Sequence, residues 1–305
     1  MVERAARERG IRSIRDCSIK PRPDRRVYRL GEEYVAKLYA PEAADLHRRE
    51  RTFLELNAGS GRCPDLVDCG FDAQIGGYVI ITGLPGQALA QLSEGVPETE
   101  YLEIVEDLGT CIATIHGVPA TKLSHLPSSG LGTERRRHFS AMPGIADRLR
   151  AENLLPGEAI GQLKEAVKRA QEAAFASPRI LLHGDVHSGN ILVTHARGRW
   201  RCTLIDFEKS GPDHMELEFV FPFVSVLGEA FPGRRLAGFW NAIWQRLAQG
   251  YARGGGALPD QGLIAGHAIA WCLGVSADSL DEGHPSARKF ANFALDALSV
   301  YRWEA

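Results

Sequence analysis

The alternation of apolar and polar residues along the first third of the chain predicts a small sheet with one helix. The segments RVYRL and YVAKLY flank Gly31, Glu32 and Glu33, a pattern typical of a β-hairpin. The segment GGYVIITG follows a glycine turn and predicts a further strand. Between these strands, Pro41 begins a stretch with helical spacing that Gly59 can end. The pattern therefore predicts a strand-rich front with one helix packed on it.

From about residue 98 onward, the spacing of the apolar residues becomes helical. The segment TEYLEIVEDLGTCIATIH has apolar residues three or four positions apart. Further helices are predicted at 157–176, 214–228, 234–252, 260–276 and 285–302, and ARGGGALPD (252–260) predicts a loop. We expect an α+β fold with two lobes, residues 1–83 and 84–305, that join at TGLPG (82–86). Such a joint favours a cleft.

Composition and charge narrow the class of protein. The chain has 305 residues, of which 44% are hydrophobic and 24% charged, and its formal net charge of −2 argues against a broad nucleic-acid-binding surface. No apolar run approaches the ~20 residues that span a bilayer, and MVERAARERG lacks the apolar core of a signal peptide. Six scattered cysteines show no metal-finger spacing. We therefore expect a cytoplasmic protein that binds neither nucleic acid nor membrane.

A carboxylate lies in the apolar stripe of the helix predicted after Pro41. Glu50 follows Leu46 by four residues, and Lys37 shares a face of the preceding strand with Val35. Because one buried, unpaired charge costs about 3–5 kcal/mol, we expect a Lys37–Glu50 ion pair whose ammonium can also hold phosphate oxygens. The alternative is a lysine that extends to solvent and a solvated glutamate.

The stretch RILLHGDVHSGNILV (179–193) places a polar loop between two apolar strand ends. Sixteen residues after Asn190, the segment RCTLIDFEKSG brings Asp206 to the end of another strand. Asp185, Asn190 and Asp206 form an oxygen-only set, which suits Mg²⁺. Phosphoryl transfer needs a metal ion across the phosphates and a carboxylate that orients the attacking hydroxyl. The set therefore predicts a kinase.

These motifs resemble those of the aminoglycoside phosphotransferase and choline kinase superfamily, small-molecule kinases with a protein-kinase-like fold. The matching positions are HGDVHSGN (183–190), IDFE (205–208), Lys37, Glu50, ITGLPG (81–86) and IATIHGVP (112–119). IDFE followed by ELEF also resembles antibiotic kinases of the hygromycin type. The resemblance implies a nucleotide-binding lobe (1–83), a catalytic and acceptor-binding lobe (84–305), ATP or GTP as donor, and Mg²⁺.

The resemblance also implies roles for individual residues. Asp185 would be the catalytic base, and Asn190 and Asp206 would bind Mg²⁺. His183 would anchor the catalytic loop rather than act as an acid or base. The nucleotide would be held by a further set of residues: Lys37 at the phosphates, Glu50 as the partner that orients Lys37, and the backbone of Thr82, Gly83 and Leu84 at the purine.

The chain departs from the family pattern at two places. The turn KPRPDRR (20–26) contains no glycine where protein kinases have a glycine-rich loop, so backbone donation to the phosphates is weaker, or Arg25 and Arg26 supplement it, or the turn is merely solvated. Many relatives have an aspartate after the metal aspartate; Glu216 is expected to take its place here, with Asp213 as the alternative.

The histidines of the central motif allow a different hypothesis. His183, Asp185 and His187 could bind a transition metal, as in metallophosphoesterases. That fold requires further histidine clusters downstream, and the later histidines stand alone.

The acceptor is expected on the second lobe, where acidic residues accumulate. Asp278, Asp281 and Glu282 lie close together near a turn, and Glu216 is a further candidate. In relatives that modify cationic antibiotics, such carboxylates bind ammonium groups; helix caps and solvated acids are the alternative. We expect a phosphotransferase that inactivates an antibiotic by modifying its hydroxyl. The alternatives are a metabolic kinase for an amino alcohol, sugar or homoserine-like acceptor, and a non-catalytic binding module.

Overall fold

The front of the chain folds as an antiparallel sheet. The computed structural model describes residues 7, 10–11, 13–17, 23–92, 96–123, 126–173, 179–226, 237–257 and 260–300. Within these residues the front sheet has the strand order β1-β2-β3-β5-β4. Its strands are β1 (Ile14–Asp16), β2 (Arg25–Leu30), β3 (Tyr34–Tyr39), β4 (Leu66–Asp72) and β5 (Gly76–Thr82).

The predicted hairpin is confirmed, and its register positions Lys37. Strands β2 and β3 pair antiparallel, with Val27 opposite Lys37, and β5 pairs with the other edge of β3, with Val79 opposite Lys37. Gly31 has φ +61° in the turn, a conformation that costs glycine little. Lys37 therefore lies on the central strand of the sheet.

The predicted helix of the front lobe is α1 (Ala44–Leu56), which a short 3₁₀ turn at Pro41–Ala43 precedes. Its buried side chains are His47, Glu50, Phe53 and Leu54. The buried apolar side chains pack the helix against the sheet, and Glu50 is buried because it lies on the same face. The sequence pattern correctly indicated this buried carboxylate.

The back of the chain is mostly helical, which confirms the α+β class. Its helices are α2 (Leu89–Leu92), α3 (Glu98–His116), α4 (Gly130–Ala151), α5 (Ala159–Ala173), α6 (Ala237–Arg253), α7 (Gln261–Asp281) and α8 (Ala287–Val300). Two small sheets accompany them: β6 (Gln87–Ala88) with β8 (Ile191–Ala196) and β9 (Arg199–Leu204), and β7 (Arg179–Leu182) with β10 (Gly211–His214). The strands predicted on both sides of HGDVHSG are therefore present.

Two parts of the back lobe differ from the sequence-based expectation. The helix predicted at 214–228 is present only in irregular form: His214 ends β10, and a 3₁₀ turn at Met215–Phe219 leads through Val220 and Phe221 into a π turn at Pro222–Val226. Residues 227–228 lie outside the described residues. Helix α4 was not predicted because its first turn holds two glycines and Pro143 lies within it, and both residue types disfavour a helix. The Ser129 hydroxyl caps it by accepting a hydrogen bond from Gly132 N at 3.0 Å.

Helix α7 is long and apolar enough to cross a bilayer, and among the described helices it alone meets that test. However, 72% of its apolar window is buried inside the fold. It packs against α8, α5 and α4. This burial is typical of a core helix.

Helices α3 and α6 pack at backbone contact distance. A Cβ on Gly109 would lie 2.2 Å from the carbonyl oxygen of Leu247, and one on Gly250 would lie 1.7 Å from that of Glu106. Because any side chain would push the helices apart, both glycines are required for this packing. The contact places Tyr251 beside His116 at the end of α3.

We predict that Gly109→Ala destabilises the protein by about 1–3 kcal/mol, because overpacking outweighs the better helix propensity of alanine. The matched control is Gly161→Ala in α5, where an added Cβ meets nothing within 4 Å. The control should gain about 0.5–1 kcal/mol. Urea unfolding measures both changes, and a stabilised Gly109→Ala variant would contradict the close packing.

Candidate active site

A cavity of about 490 Å³ lies between the front sheet and the strands that carry the central motifs. Next to residues 82–84 it is lined by apolar side chains, namely Val27, Val35, Ile81, Leu84, Leu192 and Ile205. Its other end is charged and polar, lined by Arg25, Lys37, Asn190 and Asp206. The cavity therefore has an apolar region that can hold a flat ring and a polar region that can hold phosphates.

The segment 82–84 joins the lobes at the edge of the cavity. The Thr82 amide donates to Asp65 O at 3.0 Å, and the Gly83 amide donates to Glu33 O at 2.6 Å. A Cβ on Gly83 would lie 2.9 Å from the carbonyl oxygen of Glu32, so only glycine fits without a shift. Thr82 and Leu84 line the cavity. Their backbone pairing with a purine stays a prediction.

The expected Lys37–Glu50 ion pair is present, and a third charge joins it. Lys37 Nζ donates to Glu50 Oε1 at 2.6 Å and to Asp206 Oδ1 at 2.8 Å. Tyr39 OH donates to the other oxygen of Glu50. Glu50 is fully buried and Lys37 nearly so. The pair thus links the front sheet and α1 to the end of β9.

Neighbouring groups of opposite charge hold Lys37 and Asp206 in their ionised forms. Burial opposes the charge on Lys37, but Asp206 and Glu50 raise the pKa of its ammonium above the ordinary value. Burial likewise disfavours the Asp206 carboxylate, but Lys37 and Arg25 lower its pKa below the ordinary value. The cluster is therefore held together by mutual charge, and each ionised member depends on the oppositely charged groups around it.

Asp206 has a backbone conformation that is rare outside glycine. Its φ is +71°, in the left-handed region. The next residue, Phe207, is fully buried, stacks on Phe53 of α1 at 4.2 Å between ring centroids, and contacts the His183 ring at 4.8 Å. This packing turns Phe207 into the core and Asp206 towards the cavity.

His183 anchors the catalytic loop, as the resemblance implied. Its Nε2 lies 3.0 Å from Ile205 O, and its Nδ1 accepts from the Asp185 amide at 3.2 Å. Both ring nitrogens are therefore used by the backbone, with the proton on Nε2. A transition metal at this histidine would have no lone pair to bind, so the metallophosphoesterase hypothesis is wrong.

The amides at the start of the catalytic loop donate to a buried carboxylate, Glu218. His183 N and Gly184 N donate to its two oxygens, and His116 Nε2 lies 3.2 Å from Oε2. His116 Nδ1 in turn meets Tyr251 OH at 2.8 Å. Glu218 is 1% exposed. Glu216, the residue expected to replace the family aspartate, is also buried, but Glu218 is the carboxylate that the loop amides bind.

Asp185 and Asn190 are fixed by the loop that carries them. Asn190 Nδ2 donates to Asp185 O at 3.0 Å, and Ile205 N donates to Asn190 O at 3.1 Å. The Asp185 carboxylate lies 3.3 Å from Lys209 Nζ and 4.0 Å from His187 Nε2. The loop and the end of β9 are thus tied together. Asn190 and Asp206 line the cavity, whereas Asp185, on the same loop, is not among its lining residues.

The residues present fit a magnesium ion. Asn190 uses its amide nitrogen within the loop, which leaves its side-chain oxygen for a ligand. Asp206 engages Lys37 and Arg25 through Oδ1 alone, so Oδ2 is the oxygen left for a cation. Both residues line the polar end of the cavity. In the described part of the chain, no group of three or more His, Cys, Asp and Glu forms a metal site, so an oxygen pair completed by phosphates and water is the site that fits.

Two of the acidic residues expected to bind the acceptor, Asp278 and Asp281, already pair with arginines. Arg137 of α4 donates to Asp278 at 2.6 Å, and Arg148 donates to Asp281 with 2.7 and 3.1 Å contacts. Glu282 is the exposed C-terminal cap of α7. Acceptor binding by these three and by Glu216 stays a prediction, and a cationic acceptor would have to displace the arginines.

Helix α1 is tied to the back lobe next to Glu50. Arg49 Nη1 donates to Ser128 O at 2.6 Å and to Ser210 O at 2.9 Å, and Ser210 Oγ donates to Arg49 O at 3.2 Å. These contacts hold the helix on a face other than the one that carries Glu50. Ser210 follows IDFE in the sequence and Ser128 lies far before it, and no motif indicated either residue.

Fold and site together define the class of protein: a kinase-like phosphotransferase fold, with a cavity between a lysine-bearing sheet and a loop that carries Asp185 and Asn190. The model of the phosphotransferase enzyme family that includes the aminoglycoside phosphotransferases matches residues 20–257. The chain belongs to that family. No curated protein matches it significantly.

Solved structures share the fold at low sequence identity. The GDP complex of aminoglycoside 2'-phosphotransferase-IIIa has a TM-score of 0.65 at 11% identity and covers 98% of this chain and 96% of its own. A GDP and kanamycin complex of APH(2")-IIIa has a TM-score of 0.62 at 13% identity, with 95% and 92% covered. A thermostable mutant of APH(4)-Ia with AMP-PNP and hygromycin B has a TM-score of 0.57 at 15% identity, with 95% and 94% covered.

The burial of His183 predicts a pH-dependent stability. Burial lowers the pKa of its imidazole below the ordinary value of 6.5, against the opposing charges of Glu218 and Asp185. Below about pH 6.5 the unfolded chain therefore binds more protons at this residue than the folded chain does, and the free energy of unfolding must fall as the pH falls.

His183→Asn should remove this contribution. Urea unfolding at pH 7.5 and 5.5 should show a smaller loss of stability on acidification in His183→Asn than in the wild type. The exposed His195→Gln variant, on β8, should lose as much as the wild type. An equal loss in all three proteins would show that His183 is not held neutral.

Proposed function

We propose that the protein is a Mg²⁺-dependent O-phosphotransferase that transfers the γ-phosphoryl group of ATP or GTP to a hydroxyl of an antibiotic. One observation carries the proposal. Asn190 and Asp206 line the polar end of a cavity in the usual size range for ligands, beside the Lys37–Glu50 pair, and the loop that holds Asn190 also carries Asp185. This is the set that phosphoryl transfer to a hydroxyl requires. The proposal also places the protein in the cytoplasm, where the nucleotide is available.

Each residue has a defined task in this mechanism. The purine lies among the apolar side chains next to residues 82–84, and Lys37 binds the phosphates. Asp185 accepts a hydrogen bond from the acceptor hydroxyl, orients it and takes its proton as the new O–P bond forms and the bond to the leaving phosphate oxygen breaks. A magnesium ion held by Asn190 and Asp206 would neutralise charge across the phosphates. Lys209 keeps the Asp185 carboxylate in position.

Two kinds of acceptor remain as candidates. Kanamycin and hygromycin B occupy structures with the same fold, which supports an antibiotic. The arginine partners of Asp278 and Asp281 support the second candidate, a metabolic kinase for a sugar, amino alcohol or homoserine-like alcohol, since those carboxylates are not free to bind an ammonium group. The complete set of Lys37, Asp185, Asn190 and Asp206 argues against a non-catalytic binding module.

Asp185→Ala should reduce phosphoryl transfer by about 10²–10⁴-fold, because the acceptor hydroxyl loses the group that orients and deprotonates it. Nucleotide affinity, measured by isothermal titration calorimetry with Mg²⁺, should change little. The control Asp147→Ala removes an exposed carboxylate of α4 that pairs with Lys164 and should leave both quantities unchanged. Near-normal turnover in Asp185→Ala would exclude Asp185 as the base.

The complementary variant is Asp206→Ala. It should weaken binding of the nucleotide with Mg²⁺ and remove most of the difference in affinity between buffers with Mg²⁺ and with EDTA. If that difference persists in the variant, Asp206 does not bind the metal.

The acceptor can be found by screening. Nucleotide release should be measured over aminoglycosides, peptide and nucleoside antibiotics, macrolides and metabolic alcohols, and products should be examined by mass spectrometry for one added phosphate. We expect turnover with a hydroxylated antibiotic and loss of its antibacterial activity. Turnover with metabolic alcohols alone would favour the second candidate, and nucleotide binding without turnover on any acceptor would favour the binding module.

A further inference from the structure

Arg25 lies at the end of the glycine-free turn (20–26) and lines the cavity. It is the first residue of β2, and the chain contains no glycine from Ile11 to Leu30. Arg25 lies opposite Tyr39 of β3, two residues beyond Lys37. It therefore lies at the polar end of the cavity, on the strand that covers the cavity from above.

The strand turns this arginine, and not its neighbour, towards the cavity. Side chains alternate along a strand, so Arg25 and Val27 share one face and Arg26 lies on the other. Arg25 and Val27 line the cavity, whereas Arg26 is exposed and does not. The two arginines are adjacent and equal in charge, yet only one of them can meet a ligand in the cavity.

Arg25 is held in place at one end of its guanidinium. Its Nη1 donates to Asp206 Oδ1 at 2.9 Å and also contacts the Glu208 carboxylate. The side chain is 15% exposed. A guanidinium has five N–H donors in a rigid fork. Among the described residues, Nε and Nη2 of Arg25 have no hydrogen-bond partner, so these donors remain for a ligand.

We propose that Arg25 binds the polyphosphate of the nucleotide and supplies with a side chain the donors that a glycine-rich loop supplies with its backbone. Glu208 and Asp206 position the guanidinium, and the remaining donors bind phosphate oxygens in the forked geometry that arginine favours. The inference rests on the proposed function, because it assumes that the cavity holds a nucleoside triphosphate. The phosphate contact assigned to Arg25 is direct and does not depend on the metal ion.

The test is equilibrium binding rather than turnover. Calorimetric titrations should be performed on the wild type, Arg25→Gln and Arg26→Gln. ATP should be titrated both in EDTA and with Mg²⁺, and adenosine in EDTA. Arg25→Gln should bind ATP about 10–100-fold more weakly in both buffers, the range for a lost charged hydrogen bond, and should bind adenosine as the wild type does. Arg26→Gln loses the same charge from the same strand and should match the wild type for both ligands.

Other outcomes separate this inference from the proposed function. ATP affinity in Arg25→Gln that equals or exceeds that of the wild type would overturn the phosphate role, as would an equal weakening by Arg26→Gln, which would reflect net charge alone. An equal loss for adenosine and ATP would show that Arg25 shapes the cavity instead. If the wild type binds no nucleotide, the proposed function itself fails. Thermal unfolding midpoints confirm that each variant is folded.

Discussion

One carboxylate oxygen, Oδ1 of Asp206, receives the ammonium of Lys37 and the guanidinium of Arg25, and the front of the molecule depends on this contact. Three buried or half-buried carboxylates, Glu50, Asp206 and Glu208, balance these two cations. Without Asp206, Lys37 would keep Glu50 and Arg25 would keep Glu208, but no side chain would join the two ion pairs. The contact also crosses between the lobes, so one of the interlobe connections passes through the ligand site.

The loop at 183–190 is held in place by a second carboxylate. There a single carboxylate, Glu218, gathers two backbone amides and the His116 imidazole in a site closed to solvent. Hydrogen bonds to a charged acceptor are stronger than neutral ones, and their number fixes the loop against rotation. The close approach of α3 and α6 supplies Tyr251, which completes this network at its far end. The position of the loop at 183–190 therefore depends on helices α3 and α6, whose residues are not among those that line the cavity.

The sequence allowed prediction of the features that local patterns determine. The β2–β3 hairpin, α1 and the Lys37–Glu50 pair follow from periodicity and from the cost of burying one charge alone. Glu218 could not be predicted, because ELEF permits several registers and only the tertiary fold shows which acid turns inward. Arg25 and Arg26 were indistinguishable for a similar reason, since strand β2 decides which one faces the ligand. The helix predicted at 214–228 is irregular rather than a continuous α-helix, because His214 pairs with β7 and a tighter turn follows it, in which Glu218 is buried.

The hydrogen bonds from Arg49 to Ser128 and Ser210 have a consequence for the position of α1. In a kinase whose glutamate-bearing helix swings, activity is gated by assembling the lysine–glutamate pair. Here that helix is fastened on one face by Glu50 and on another by hydrogen bonds to Ser128 and Ser210. An outward swing would break both sets at once. The contacts that hold the helix therefore also keep the Lys37–Glu50 pair assembled.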